Sequence, residues 1–416
     1  MGRHSAETIN DPTFNLGILS HFFPPDIGGI PRLHSYTVDS YLDLGVRPVV
    51  VAGGQVHTEI DRDYPVLRSP EYSRAFELRR QIRCGKFGDD NPFERSGWDH
   101  LIADLSRTVA AFFTDRNVAM VNSHVFSDLR VGSEVATLLG VPHVHVGHSS
   151  YRSASYLRTE SKRLRTRAPF VTQEYVQRTL ETAAVDLYIV HSRHVHDKYV
   201  EMGVTPDRIR VLPPAVDVAM FRRDDGGAQK LRARLDLGEA SLITCPTLRK
   251  GGFDQLLCAF SLFCKESSRE AYLLCCDSHA VADDYRRMVK DAGLDDRVIF
   301  TSFSPEAMPA VYTASDVVVM CSIEEGIGLP ALEARACGTP VVANRFGPFV
   351  EYIDHERDGL LVERGDAGGL AAHLSRVVSD QVLRRRLSTA GMERAQEYSH
   401  TLLAGRYISI FETYAN

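Results

Sequence analysis

The chain has 416 residues, 44% apolar and 25% charged, an ordinary globular composition but too long for one typical domain, so two domains are expected. A net charge of −6 gives no global electrostatic footprint for nucleic acid, and any phosphate must be held by local groups. No apolar stretch approaches the length of a membrane span, so no transmembrane segment is expected. Short β-type runs alternate with helical patterns from end to end, the arrangement of an α/β protein with doubly wound parallel sheets. The first series of predicted strands is 14–20, 48–52, 118–122, 142–146 and 186–191. The second is 242–245, 271–276, 298–303, 316–321, 340–344 and 359–362. Pro213-Pro214 and Asp224-Asp-Gly-Gly interrupt the pattern between them, and the junction is placed near residue 200. The domains are then 1–199 and 200–399, followed by a last predicted helix at 401–414.

The eight cysteines fall mostly in apolar runs, without disulfide or zinc spacing, where a thiol acts as a small buried hydrophobe. Residues 1–13 are polar and lack an apolar signal-type run, so a reducing, cytoplasmic setting is expected.

In chain order, the first chemical feature is strand 14–20 running into His21-Phe-Phe-Pro-Pro-Asp-Ile-Gly28-Gly29, after which a helical pattern begins. Gly28 and Gly29 can bring backbone close to a ligand at a helix N-terminus, at a strand's carboxyl end where open α/β sheets bind ligands. A purely structural turn is the other reading. No Gly-x-Gly-x-x-Gly follows, which counts against a dinucleotide redox enzyme. Further on, His124 ends the run Asn122-Ser123-His124, and His148 ends His143-Val-His145-Val-Gly-His148. His143 and His145 share a strand face by period-two alternation. No carboxylate accompanies these histidines at ligand spacing, so no metal is expected, and satisfied core histidines are the alternative for them. His191, His194 and His196 read as a strand end and a helix surface. Residues 151–167 are rich in arginine, including Arg152, but lack an apolar stripe, which reads as a solvated face.

The most informative stretch is Glu325-Gly326-Ile327-Gly328-Leu329-Pro330-Ala331-Leu332-Glu333. Pro330 suits the first helical position, so the loop Gly326 to Leu329 is expected to leave backbone N–H groups free for an anion at a positive helix end. Glu325 then precedes the helix and Glu333 lies about one turn inside it. Ionised carboxylates only accept hydrogen bonds, which suits a hexose polyol at one end and a ribose diol at the other.

The pattern E-G-x-G-x-P-x-x-E-A-x-A-x-G-x-P-V-V over residues 325–342 resembles glycosyltransferase family four, retaining enzymes of the GT-B architecture with two Rossmann-like domains facing across a cleft. The resemblance spans nearly the whole chain, strongest over 310–365 and weakest over 54–100. It implies that Glu325 contacts the donor sugar, Glu333 the ribose, and Gly326, Ile327, Gly328 and Leu329 the donor phosphates. It likewise implies that Gly28 and Gly29 face the diphosphate, that His148 approaches the donor sugar, and that Arg249-Lys250 neutralises the leaving diphosphate. Here the chain departs from the pattern: Cys245-Pro-Thr-Leu248 replaces the usual Gly-Arg-Leu, so a separate arginine is absent and its replacement by Arg249 is open. Only 7 of the 48 basic residues are lysine, which makes Lys250 the firmer assignment. Cys276-Asp-Ser278 and Gly347-Pro348 replace glycines of the family, with Glu351 retained. The helix at 400–416 resembles the family's C-terminal helix, which crosses back to the first domain.

The resemblance implies retaining transfer of a hexosyl group from a nucleotide diphosphate sugar, UDP being commonest among relatives, to a hydroxyl of a small molecule or glycan. No metal or other cofactor is expected. His124, Ser149 and Arg152 are the acceptor-side candidates. A nucleotide-sugar epimerase, a glycoside phosphorylase and a non-catalytic nucleotide-sugar-binding protein are the alternatives on the same architecture.

Overall fold

A computed structural model describes residues 14–21, 23, 29–55, 58–61, 63–83, 97–148, 179–248, 251–276, 282–323 and 325–415. The described residues form two sheets. The first contains β1 (Phe14–Ser20), β2 (Val46–Gly53), β3 (Thr58–Asp61), β4 (Pro65–Ser69), β5 (Val118–His124), β6 (His143–Gly147), β7 (Leu187–Val190) and β8 (Ile209–Val211). Their order is β3-β4-β2-β1-β5-β6-β7-β8, parallel except for β3 against β4. The second contains β9 (Ser241–Cys245), β10 (Ala271–Cys275), β11 (Val298–Phe300), β12 (Val317–Met320), β13 (Val341–Asn344) and β14 (Leu360–Val362). Their order is β11-β10-β9-β12-β13-β14, all parallel.

Strands such as Val317-Val-Val-Met320 are apolar on both faces because helices cover both sides of the sheet. On one face of the first sheet, Trp98, Phe113 and Phe126 from helices Trp98–Thr114 and Val125–Leu139 fill the core. The other face is closed by Tyr41 of helix Gly29–Asp43 and by Tyr407 and Phe411 of helix His400–Ala415. The C-terminal helix thus packs on the first sheet. Phe411 alone, fully buried, contributes roughly 1.5–3 kcal/mol to that docking.

Every strand predicted from sequence lies at an observed strand, while β3, β4 and β8 had no prediction. The boundary near residue 200 shifts downstream, because β8 joins the first sheet and helix Arg193–Glu201 packs on β7 and β8. A three-residue strand such as Ile209–Val211 is too short for hydrophobic alternation to register. Leaving aside the antiparallel edge strand β3, the strand order reverses once in each sheet, between β1 and β5 and between β9 and β12. Ligands of open α/β sheets bind at the carboxyl ends of strands flanking such a switch point. The segments that begin with His21, Val125, Pro246 and Cys321 follow those four strand ends.

Candidate active site

The turn after β12 is built from its own backbone outward. Asn344, at the end of β13, donates through Nδ2 to Cys321 O at 2.9 Å and Ser322 O at 3.3 Å. Gly252, with φ 85°, presses against the same turn: a Cβ there would lie 1.9 Å from Cys321 O, so only glycine fits. The loop after β9 is therefore locked against the segment that leads to Glu325. Arg249 and Lys250, just ahead of that glycine, lie outside the described residues, as do Gly28, Ser149 and Arg152.

Glu325 is buried, 8% exposed, and folds back on its own turn. Its Oε1 accepts from Gly326 N at 3.2 Å and more weakly from Ile327 N at 3.5 Å. These two amides are thus turned to a carboxylate of the protein and are not open to an incoming anion, which corrects the expectation of a free amide cradle. The reason is local: a carboxyl acceptor beside unpaired helix-end donors satisfies them itself. The helix runs Leu329–Ala336, so Pro330 is its second residue and not its first. Gly328 caps it with φ 73°, and a Cβ there would approach Phe349 Cε1 at 2.8 Å. One turn in, Glu333 is 2% exposed and its Oε2 accepts from the Tyr312 hydroxyl at 2.7 Å. The two acids are held by separate partners at the two ends of the same turn.

The facing wall comes from the first sheet. His124 and His148, at the ends of β5 and β6, are both buried, with His124 Nδ1 3.1 Å from His148 Nε2. Directly after His124, Val125 has φ 54°, a left-handed conformation costing a β-branched residue about 1–3 kcal/mol. That strain sits at the mouth of the switch point. His191, after β7, extends the pair, with its Nε2 3.0 Å from His148 Nδ1. His143 and His145 do share a face: Ser123 Oγ lies 2.7 Å from His143 Nε2 and 2.8 Å from His145 Nδ1. Burial pushes His143 down to about 4 and lowers His145 as well, so both are neutral imidazoles at neutral pH.

The two walls touch at His191. Tyr352 donates its hydroxyl to His191 O at 2.8 Å, and Glu351 accepts from Arg193 N at 2.9 Å and His194 N at 3.2 Å. Burial first, then the carboxylates of Glu351 and Glu325, hold the Tyr352 hydroxyl well above its ordinary pKa, so it stays a donor. From behind, Arg335 Nη1 donates to Tyr352 O at 2.7 Å and pairs with Asp358 at 2.9 Å. Glu325, Gly326, Ile327, Gly328, Glu333, His124 and His148 are thus sequence candidates whose surroundings the structure defines. Tyr312, Asn344, Tyr352 and the place of His191 beside His148 were not anticipated. His191 carried one readable signal, standing at the carboxyl end of a predicted strand, near where His148 stands on its own. Tyr312 carried none, since its contact with Glu333 spans 21 residues between two helices.

Residues 27–220 match the family described as Glycosyltransferase Family 4, and residues 234–394 that described as Glycosyl transferases group 1. A D-inositol 3-phosphate glycosyltransferase of Saccharomonospora viridis is 30% identical over 343 residues, covering 77% of this chain and 76% of the relative. The chain belongs to glycosyltransferase family four. Sucrose-phosphate synthase from Thermosynechococcus elongatus superposes with a TM-score of 0.76 at 20% identity, over 96% of this chain and 98% of that one. The Anabaena protein HepE, solved with UDP and glucose, gives 0.71 at 16% identity, over 96% and 100%. The glycosyltransferase therefore has the GT-B fold, and the family matches leave residues 221–233 between its halves, downstream of β8. Among its described residues no helix is long and apolar enough to cross a membrane.

Proposed function

We propose that this glycosyltransferase moves a hexosyl group from a UDP-sugar to a hydroxyl of a small polar acceptor, with retention of anomeric configuration and without a metal ion. The observation that carries this is the pair of buried acids at one helix start, Glu325 on its own turn and Glu333 on Tyr312, beside the switch point of the second sheet. Glu325 lies at the sugar end of the donor and Glu333 at the ribose end. The UDP and glucose held by HepE support the choice of donor, and the inositol phosphate in the relative's name supports a small acceptor over a glycan.

The anomeric carbon loses its bond to the diphosphate oxygen and gains one to the acceptor oxygen on the same face. The acceptor's proton passes to the departing phosphate oxygen, and the nucleoside diphosphate leaves. Lys250, with Arg249 beside it, and the helix start after Gly328 stabilise charge growing on the diphosphate, a contribution of several kcal/mol in a site that excludes water. Glu325 must swing from Gly326 N to meet a sugar hydroxyl, which frees that amide for the phosphates. His148 orients the sugar from the opposite wall.

Glu325→Ala and Lys250→Ala should each abolish transfer from UDP-sugars, followed by mass spectrometry of the nucleotide released, while the circular dichroism melt is retained. Full turnover in both variants would refute the site.

A further inference from the structure

Three imidazoles at the carboxyl ends of β5, β6 and β7 stand in one row. His124 Nε2 meets Asn122 Oδ1 at 2.7 Å, His124 Nδ1 meets His148 Nε2 at 3.1 Å, His148 Nδ1 meets His191 Nε2 at 3.0 Å, and His191 Nδ1 meets Leu212 O at 3.2 Å. The Asn122 amide is oriented by its own bond, Nδ2 donating to Val144 O at 3.0 Å, so Oδ1 is the atom turned to His124. Both ends of the row are therefore acceptors. Each of the four contacts needs one ring N–H, and three neutral imidazoles supply only three. The neutral row is one proton short.

The neighbouring pair behaves differently under the same count. His143 Nδ1–H donates to Ala184 O at 2.9 Å, Ser123 Oγ–H then donates to His143 Nε2, and Ser123 Oγ accepts from His145 Nδ1–H. These three contacts of that pair all close with neutral rings. The shortage thus belongs to the row that includes His148.

We propose that His124, His148 and His191 act as one unit that binds a single extra proton, with His124 and His191 as the residues that position His148 and share its charge. The proton comes from solvent, all four contacts are then made, and one positive charge is spread over the three rings. The groups around the row bear on that charge from each side. Tyr41 of helix Gly29–Asp43 and Tyr407 of the C-terminal helix line the cavity onto which all three rings face, and among the described residues no lysine or arginine lines it. From the second domain, Tyr352 binds His191 O, and Glu351 and Glu325 act on that hydroxyl. For His191, burial opposes the charge and pushes it down to about 4, against the smaller favouring effect of its bond to Leu212 O. Uptake therefore falls on the acid side of neutrality, as one shared step.

The test is a pH titration of the protein labelled with nitrogen-15 in its histidine rings, read by long-range proton–nitrogen correlation. The ring signals of His124, His148 and His191, assigned by substitution, should move with one common midpoint and total one proton. In His191→Phe only two contacts remain, which two neutral rings satisfy, so the shared step should vanish. Should that variant not fold, His191→Gln, which removes the ring but keeps a donor, carries the same expectation. Three midpoints separated by more than about one pH unit, or no uptake at any pH where the protein is folded, overturns the proposal; so does a variant in which the other two rings titrate unchanged. A second measurement rests on the donor site proposed above: charge near the sugar opposes its oxocarbenium-like transition state, so the acid limb of kcat should share that midpoint and move in His191→Phe. A shared nuclear magnetic resonance step without that limb would fault the donor-site reading and leave the proton unit standing.

Discussion

Glu351→Ala tests whether the two domains are joined in solution as they are in the structure. Helix Arg193–Glu201 of the first domain starts with three backbone amides that have no partner within the helix. Ser192 Oγ takes Val195 N at 3.2 Å, whereas Arg193 N and His194 N, at 2.9 and 3.2 Å, are taken by Glu351 from the second domain. A hydrogen bond to an ionised acceptor is worth about 1.5–3 kcal/mol net when buried. Here the amides lie near solvent and water can replace the carboxylate, so the pair together is worth about 1–2 kcal/mol, or roughly 5- to 30-fold in an opening equilibrium. The assay is residue-resolved amide hydrogen exchange. Arg193 and His194 should exchange roughly 5- to 30-fold faster in the variant, with Val195 unchanged because its cap is local. Unchanged rates at Arg193 and His194 would show that the carboxylate does not bridge the domains. Equal acceleration at Val195 would mean that the helix frays, which also contradicts the reasoning.

Tyr312→Phe removes the hydroxyl that holds Glu333 and should raise the donor KM about tenfold while kcat falls less, a shift of about 1.4 kcal/mol; equal loss in both parameters in steady-state kinetics would argue against a ground-state role. Arg335→Ala strands Asp358, which is 6% exposed, and should cost about 3–5 kcal/mol in urea unfolding, with the larger part recovered when Asp358 is also made apolar. Acid should destabilise the fold through His143, whose native pKa of about 4 lies below the ordinary 6.5. The unfolded chain binds the extra proton between those values, so this contribution is whole above pH 6.5 and declines as pH falls toward 4, by roughly 3 kcal/mol in all. Urea midpoints measured from pH 7.5 to 4.5 check it, and a His143→Asn variant should show a shallower decline.

The sequence alone determined the two α/β domains, because buried parallel strands require uninterrupted apolar runs and helices between them. It also located the helix start that follows Glu325, since glycine and proline at 326–330 are the residue types such a loop demands. What it could not contain is which groups meet across the folded chain. Glu325 closing on its own amides depended on the φ and ψ of one turn, and Glu333 on a tyrosine from another helix. The row His124, His148 and His191 exists only because β5, β6 and β7 lie side by side, with His124 opposite Val146 and Gly147 opposite Val190, which strand order and register decide. Local pattern is written in neighbouring residues, whereas a proton count over three strands is a property of their pairing.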